Sequence, residues 1–190
     1  MQLNEFDLIQ GLQTGEESAF RLLVETYQKP VYNAVLNILQ DEHEAEDAAQ
    51  EVFIRVYQSI SRFRGDSALS TWIYRISVHV ALDKCRRRKS RVKFSQLKNW
   101  FGAGDKEPEV TGHYHPGIRL ENKEKAARLF KAIDALPENQ RIVFTLLKVQ
   151  GLSYEEVCQI MNKKLKAVES LMSRAKLNLQ QKLELYEPGT

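Results

Sequence analysis

Apolar residues along this chain recur at steps of three and four, and no segment shows the alternation of a strand. Phe20, Leu23, Val24, Tyr27, Val31, Ala34, Val35, Ile38 and Leu39 predict one helical face, carried by one helix or by two joined at Pro30. Ala45, Ala48, Ala49, Val52, Phe53, Val56, Tyr57 and Ile60 repeat the pattern more strictly. A third amphipathic stretch follows Ser70, read as its N-cap, and carries Trp72, Ile73, Ile76 and Val80 into a basic block. Between Phe94 and Leu120 the periodicity lapses, and Gly102, Gly104, Pro108, Gly112, Pro116 and Gly117 give linker composition. Beyond it, Ala127, Phe130, Ile133 and Leu136 predict a helix ending at Pro137, and Ile142, Val143, Leu146 and Leu147 a second ending near Gly151. Ser153 with Glu156 forms a capping box that opens a third helix through Val157, Ile160 and Met161. A break at Asn162 to Lys164 leads to a last helix, to about Lys182, with Leu165, Val168, Leu171, Met172, Ala175 and Leu179 on or beside its apolar face. The fold class is therefore all-α. Two small helical domains, residues 1–93 and 121–190, are joined by a flexible linker, residues 94–120, and the second contains a helix-turn-helix.

Composition narrows the class of protein. A chain of 190 residues with 43% hydrophobic positions can bury a core in either one domain or two. Cys85 and Cys158 stand far apart, no charged-then-apolar leader is present, and no apolar run approaches the ~18 residues that span a bilayer. These features point to a soluble, cytoplasmic protein without direct membrane insertion. The net charge of +3 hides a segregation: residues 1–83 carry 6 basic and 13 acidic side chains, whereas residues 84–93 carry seven cations and no anion. One end of the first domain is thus suited to an acidic partner and the rest to a basic one.

The chemistry available follows from these patterns. The last two helices have the proportions of a helix-turn-helix, and equally of an ordinary helical hairpin with a solvated face. In the first case Lys163 and Lys164 at the turn, and Lys166, Glu169, Ser170, Ser173 and Arg174 on the second helix, face phosphates and base edges in a major groove. Lys84, Arg86, Arg87, Arg88, Lys89, Arg91 and Lys93 continue the helix that holds Trp72 and Tyr74, so aromatic and cationic groups suited to unpaired nucleic acid share one element. Asp41, Glu42, Glu44, Glu46, Asp47 and Glu51 lie on successive turns of an amphipathic helix with no ligands converging from elsewhere, which fits a protein-facing or solvated surface better than a metal site. His43, His79, His113 and His115 have no zinc spacing with the cysteines, and no phosphate-cradling glycine loop or nucleophile–base pair is evident. No metal, no cofactor and no small-molecule substrate is expected. A sequence-specific repressor or activator and an enzyme acting on nucleic acid remain candidates at this point, the latter lacking any catalytic group.

Longer motifs add a third reading. Asp47-Ala-Ala-Gln50-Glu51-Val-Phe-Ile-Arg55-Val-Tyr57 resembles the region 2.2 helix of bacterial RNA polymerase sigma factors of the extracytoplasmic-function group. Phe63-Arg-Gly-Asp66-Ser-Ala-Leu-Ser-Thr-Trp72-Ile-Tyr-Arg75-Ile resembles region 2.3, and His79-Val-Ala-Leu-Asp83-Lys-Cys-Arg-Arg87 occupies region 2.4, with His79 where the family commonly has Asn. Leu136-Pro-Glu-Asn-Gln140-Arg141, then Gly151-Leu-Ser153-Tyr-Glu-Glu156-Val, resembles the start of region 4, and Arg174-Ala175 its usual close. The resemblance implies an initiation factor, not an enzyme, that binds core RNA polymerase, directs it to promoters and helps open the duplex. It also implies an anti-sigma factor as regulator. By residue, it implies that Asp47, Gln50, Glu51 and Arg55 meet the clamp helices of the largest polymerase subunit. Phe63, Arg64, Gly65, Asp66 and Ser67 would form the loop that captures an extruded minus-ten base, with Trp72, Arg75, His79, Asp83, Arg86, Arg87 and Arg88 following toward promoter DNA. The helix carrying Lys166 to Arg174 would read the minus-thirty-five element as duplex.

Overall fold

The structure is a computed structural model describing the backbone of residues 5–100 and 123–184 and the side chains of residues 5–90 and 128–183. Most of the expected linker, His113, His115, and the side chains of Arg91, Lys93 and Ala127 lie outside the described residues. The chain forms α1 (Glu5–Thr14), α2 (Glu17–Leu39), α3 (Glu42–Ser59), a 3-10 turn (Ile60–Arg62), α4 (Leu69–Trp100), α5 (Lys123–Asp134), α6 (Glu138–Phe144), a π-helical turn (Thr145–Val149), α7 (Tyr154–Met161) and α8 (Leu165–Glu184).

Local chemistry sets most boundaries. Between α1 and α2, Gly15 takes the left-handed conformation at φ 80°. Gly11 permits a close crossing, since a Cβ there would meet the Ala19 Cβ at 2.9 Å. Pro30 sits inside α2 without ending it, so the expected pair of helices is one. Gln40, left-handed at φ 57°, donates its N–H to the Leu36 carbonyl and stops α2. Asp41 then caps α3 by accepting the Glu44 N–H at 2.8 Å.

Two expectations at α4 are corrected. Ser70 is not its N-cap, because the Ala68 carbonyl already accepts the Trp72 N–H and the helix begins at Leu69. The helix also runs seven residues into the stretch expected as linker, to Trp100, since no Gly or Pro occurs between Leu69 and Trp100 to stop it.

Helices α2, α3 and α4 pack on one another, with α1 against α2 and the 3-10 turn. Helices α5 to α8 form a second unit. Its α5 and α8 share a small core of Ala132, Ile133, Leu136, Ala175 and Leu179. The larger core is continuous across both units: Leu23, Val35, Ile38, Val52 and Ile73 of the first join Ile142, Leu146, Ile160 and Met172 of the second. Helix α7 lies on α4, and the π-helical turn on α2. Among the described helices none is long and apolar enough to cross a membrane.

Candidate functional site

The helix-turn-helix is built as expected. The Ser153 hydroxyl accepts the Glu156 N–H at 3.2 Å while the Glu156 carboxylate accepts the Ser153 N–H at 2.8 Å, so two N–H groups at the α7 start are satisfied reciprocally. Asn162 ends α7 in the left-handed conformation, φ 50°, and turns the chain into α8. Val168, Met172, Ala175 and Leu179 are buried. Lys164, Lys166, Glu169, Ser170, Ser173 and Arg174 are exposed on the opposite side, with Lys163 half-buried at the turn. Burial pushes the Cys158 thiol up, and the carboxylates of Glu155 and Glu169 add to that. The motif Leu136 to Arg141 is structural: Pro137 precedes α6, Gln140 accepts from Asn178 at 2.7 Å, and buried Arg141 pairs with Asp134 at 2.8 Å.

On α3, Asp47 and Gln50 are exposed together with the apolar side chains of Ile54 and Tyr57. Heptad-like spacing places these four along one stripe; Tyr57, expected on the apolar face with Val52 and Val56, is instead exposed beside Ile54. Tyr57 is braced by an edge-on contact with Phe20, ring centres 5.2 Å apart. Glu51 and Arg55 are engaged within the protein. Arg55 bonds Glu51 at 2.6 Å and lies 3.7 Å from Asp83, which also faces Arg86 at 3.7 Å. Asp83 thus holds cations on α4 and α3 rather than standing free. Behind this face, Val24, Tyr32, Asn33, Glu46, Ala49 and Phe53 line a groove of about 570 Å³ between α2 and α3.

The residues expected at the minus-ten element are placed unequally. Arg64, Gly65 and Asp66 are exposed in the loop before α4, Gly65 being left-handed at φ 75°, and Ser67 is half-buried. Phe63 is instead a buried anchor, its ring 5.1 Å from half-buried Trp72. His79, Arg86 and Arg87 are exposed. Arg88, also exposed, reaches back to donate to the Leu39 carbonyl at the end of α2 at 3.2 Å and lies 3.7 Å from Glu44. The basic block therefore divides between structure and surface.

Helix α7 covers part of α4. Arg75 donates to the Gln159 carbonyl at 2.9 Å, Thr71 to the Glu156 carboxylate at 3.2 Å, and the Tyr74 hydroxyl to Gln150 Oε1 at 2.9 Å. Lys89 and Glu138 add an ion pair of 2.5 Å. Burial, with Tyr27 and Glu156 nearby, pushes the Tyr74 phenol up and keeps it a donor. These contacts link residues 49 to 85 positions apart, beyond the range of any periodicity argument.

The profile of sigma-70 region 2 matches residues 23–91, and that of sigma-70 region 4 matches residues 126–179. The chain is 34% identical over 188 residues to the ECF RNA polymerase sigma-E factor of Escherichia coli K12, covering 96% of each. It is 32% identical over 182 residues to the RNA polymerase sigma-H factor of Pseudomonas aeruginosa, covering 92% of this chain and 91% of that one. The solved structure of CnrH in complex with the cytosolic domain of CnrY has the same fold, at TM-score 0.69 and 20% identity, covering 94% of this chain and 96% of that chain. So does that of the sigma factor RpoE in complex with the anti-sigma factor NepR from Bartonella quintana, at TM-score 0.68 and 21% identity, covering 87% and 96% respectively.

Proposed function

Because the chain belongs to the sigma-70 family, as an RNA polymerase sigma factor of the extracytoplasmic-function group, we propose a division of its surfaces among core enzyme, minus-ten DNA and minus-thirty-five DNA. It is a transcription initiation factor that binds core RNA polymerase and directs it to promoters. The observation that carries the residue-level reading is α8, whose exposed side bears Lys164, Lys166, Glu169, Ser170, Ser173 and Arg174 while its apolar side is buried. That face reads the minus-thirty-five element in the major groove, its cations on phosphates and its shorter polar groups on base edges.

The α3 stripe of Asp47, Gln50, Ile54 and Tyr57 docks on the clamp helices of the largest polymerase subunit, where carboxylate and apolar groups meet a helical partner. Glu51 and Arg55 support that stripe through their own ion pair. Arg64 to Ser67 captures an extruded base, and such a pocket stabilises the opened duplex over the closed one. His79, Arg86 and Arg87 follow along the DNA, with Arg86 and Arg87 supplying phosphate contacts. Phe63, Trp72, Asp83 and Arg88 hold this surface in shape. In the arrangement described, α7 covers Thr71 and Arg75, so contact of that stretch with an unpaired strand follows the departure of α7. The protein works in the cytoplasm and performs no catalytic step of its own. An anti-sigma factor holds it inactive, a reading supported by the complex of the Bartonella quintana sigma factor of the same fold with the anti-sigma factor NepR.

Run-off transcription with core polymerase and a promoter library tests the scheme. The parent should select both elements, and Asp47→Lys combined with Gln50→Lys should abolish core binding while leaving helical content unchanged. Retained core affinity in that variant would defeat the α3 assignment.

A further inference from the structure

Helix α1 precedes the residues matched by the region 2 profile, which begin at residue 23, yet it holds the loop before α4 from both sides. At the near end, the Gln13 side-chain amide donates to the Phe63 carbonyl at 2.9 Å and to the Ile60 carbonyl at 3.4 Å. At the far end, the Glu5 carboxylate accepts the Leu69 N–H at 2.8 Å. That second bond substitutes for a missing local one. The N-cap of α4 is Ala68, which has no side-chain acceptor, and Leu69 is the first helical residue, whose N–H has no partner within the helix. The cap is supplied from 64 residues away, and its negative charge sits at the positive end of a 32-residue helix. Between the two attachments lie Arg64, Gly65 and Asp66, all exposed, with Leu12, Phe63 and Leu69 buried beneath. A loop tethered at both ends to one rigid element has fewer conformations to lose when a base enters it.

We propose that Glu5 and Gln13 are positioning residues for base capture, fixing the ends of the loop 63–69 so that its exposed side chains present one shape to the extruded minus-ten base. The proposal rests on reading that loop as the base-capturing element. Neither residue touches DNA; both act through the backbone of Phe63 and Leu69.

The test uses full-length chain assembled with core polymerase and a duplex library randomised in both promoter elements. Gln13→Glu is isosteric but turns the donor that faces two carbonyls into an acceptor. Glu5→Ala removes the distant cap, and Glu5→Ala with Ala68→Asp supplies a local cap without the tether to α1. Core affinity, melting temperature and both selected sequences are measured for each, alongside a loop variant, Arg64→Ala with Asp66→Ala. Gln13→Glu and the double variant should keep parental core affinity and minus-thirty-five preference, with discrimination at the extruded position falling roughly five- to tenfold. A purely structural role for Glu5 predicts instead that Ala68→Asp restores melting temperature and minus-ten preference together, and that result would overturn the proposal. An unchanged minus-ten preference in both α1 variants, with an altered one in the loop variant, would overturn the positioning role alone. An unchanged preference in the loop variant would remove the loop reading, and this proposal with it.

Discussion

The bond between the Tyr74 hydroxyl and Gln150 Oε1, 2.9 Å long, joins α4 to the end of the π-helical turn and is a direct handle on the closed arrangement. Gln150→Ala removes the acceptor but keeps the backbone N–H that bonds the Thr145 carbonyl, so the turn itself is spared. When α7 leaves α4, both groups regain water, and the bond's net contribution to closure is that of a neutral pair, about 0.5–1.5 kcal/mol. If the closed form dominates, apparent affinity for a strand that binds only the open form scales with the open fraction, which converts that range to a roughly two- to twelvefold gain. Fluorescence anisotropy of a labelled single-stranded minus-ten oligonucleotide should therefore report tighter binding by Gln150→Ala than by the parent. Tyr74→Phe in the same assay closes a double-mutant cycle. In the Phe background, Gln150→Ala should have no further effect, because its partner is already gone. An equal gain in both backgrounds, or no gain in either, would refute the argument that this bond holds α7 over the strand-binding face.

The basic block should separate by residue: Arg87→Ala should leave melting unchanged and lower the holoenzyme's salt slope by about 1, whereas Arg88→Ala should destabilise the fold by roughly 1 kcal/mol through the lost Leu39 contact. The Ser153 backbone N–H holds the Glu156 carboxyl below the usual carboxylate range, assisted by the hydroxyls of Ser153 and Thr71 against the opposing effect of burial. Its contribution to stability is therefore full above the ordinary carboxylate value and lost as pH falls through that value to the depressed one. Melting temperature followed into acid should show this loss in the parent, and Glu156→Gln should flatten that limb. Ser153→Ala should cost about 1 kcal/mol in thermal unfolding by opening the capping box. On α8, Glu169→Arg should shift one minus-thirty-five position toward guanine on the contacted strand, since a carboxylate accepts from cytosine N4 while Arg pairs with guanine. A library selection returning the parental sequence would leave Ser170, Ser173 and Arg174 as the readers.

Much of what depends on neighbours within a turn or two was legible in the residues; the cap of α3 at Asp41 and the start of α4 at Leu69 were not. The three- and four-residue steps located α2, α3 and α6 to α8, and the capping box was written in Ser153 and Glu156 because its partners are three positions apart. The exposed side of α8 followed from the buried positions of Val168 and Met172, one face of a regular helix implying the other. The same logic failed where helix continuity and not composition decided a boundary. A charged sequence without Gly or Pro carried α4 past Phe94, although its apolar rhythm had faded. Tertiary packing alone decided which cations are tied back to the fold. Arg87 and Arg88 are adjacent, chemically alike and both exposed, but the rotation of about 100° between neighbouring helical residues brings Arg88 within bonding distance of the Leu39 carbonyl at the end of α2. It also supplied the cap that Ala68 lacks, the tether on the Phe63 carbonyl and the bonds from α7 to Thr71, Tyr74 and Arg75. Such contacts join residues whose separation along the chain carries no period. They come into being only when the apolar faces have packed and brought polar groups of distant helices within bonding distance.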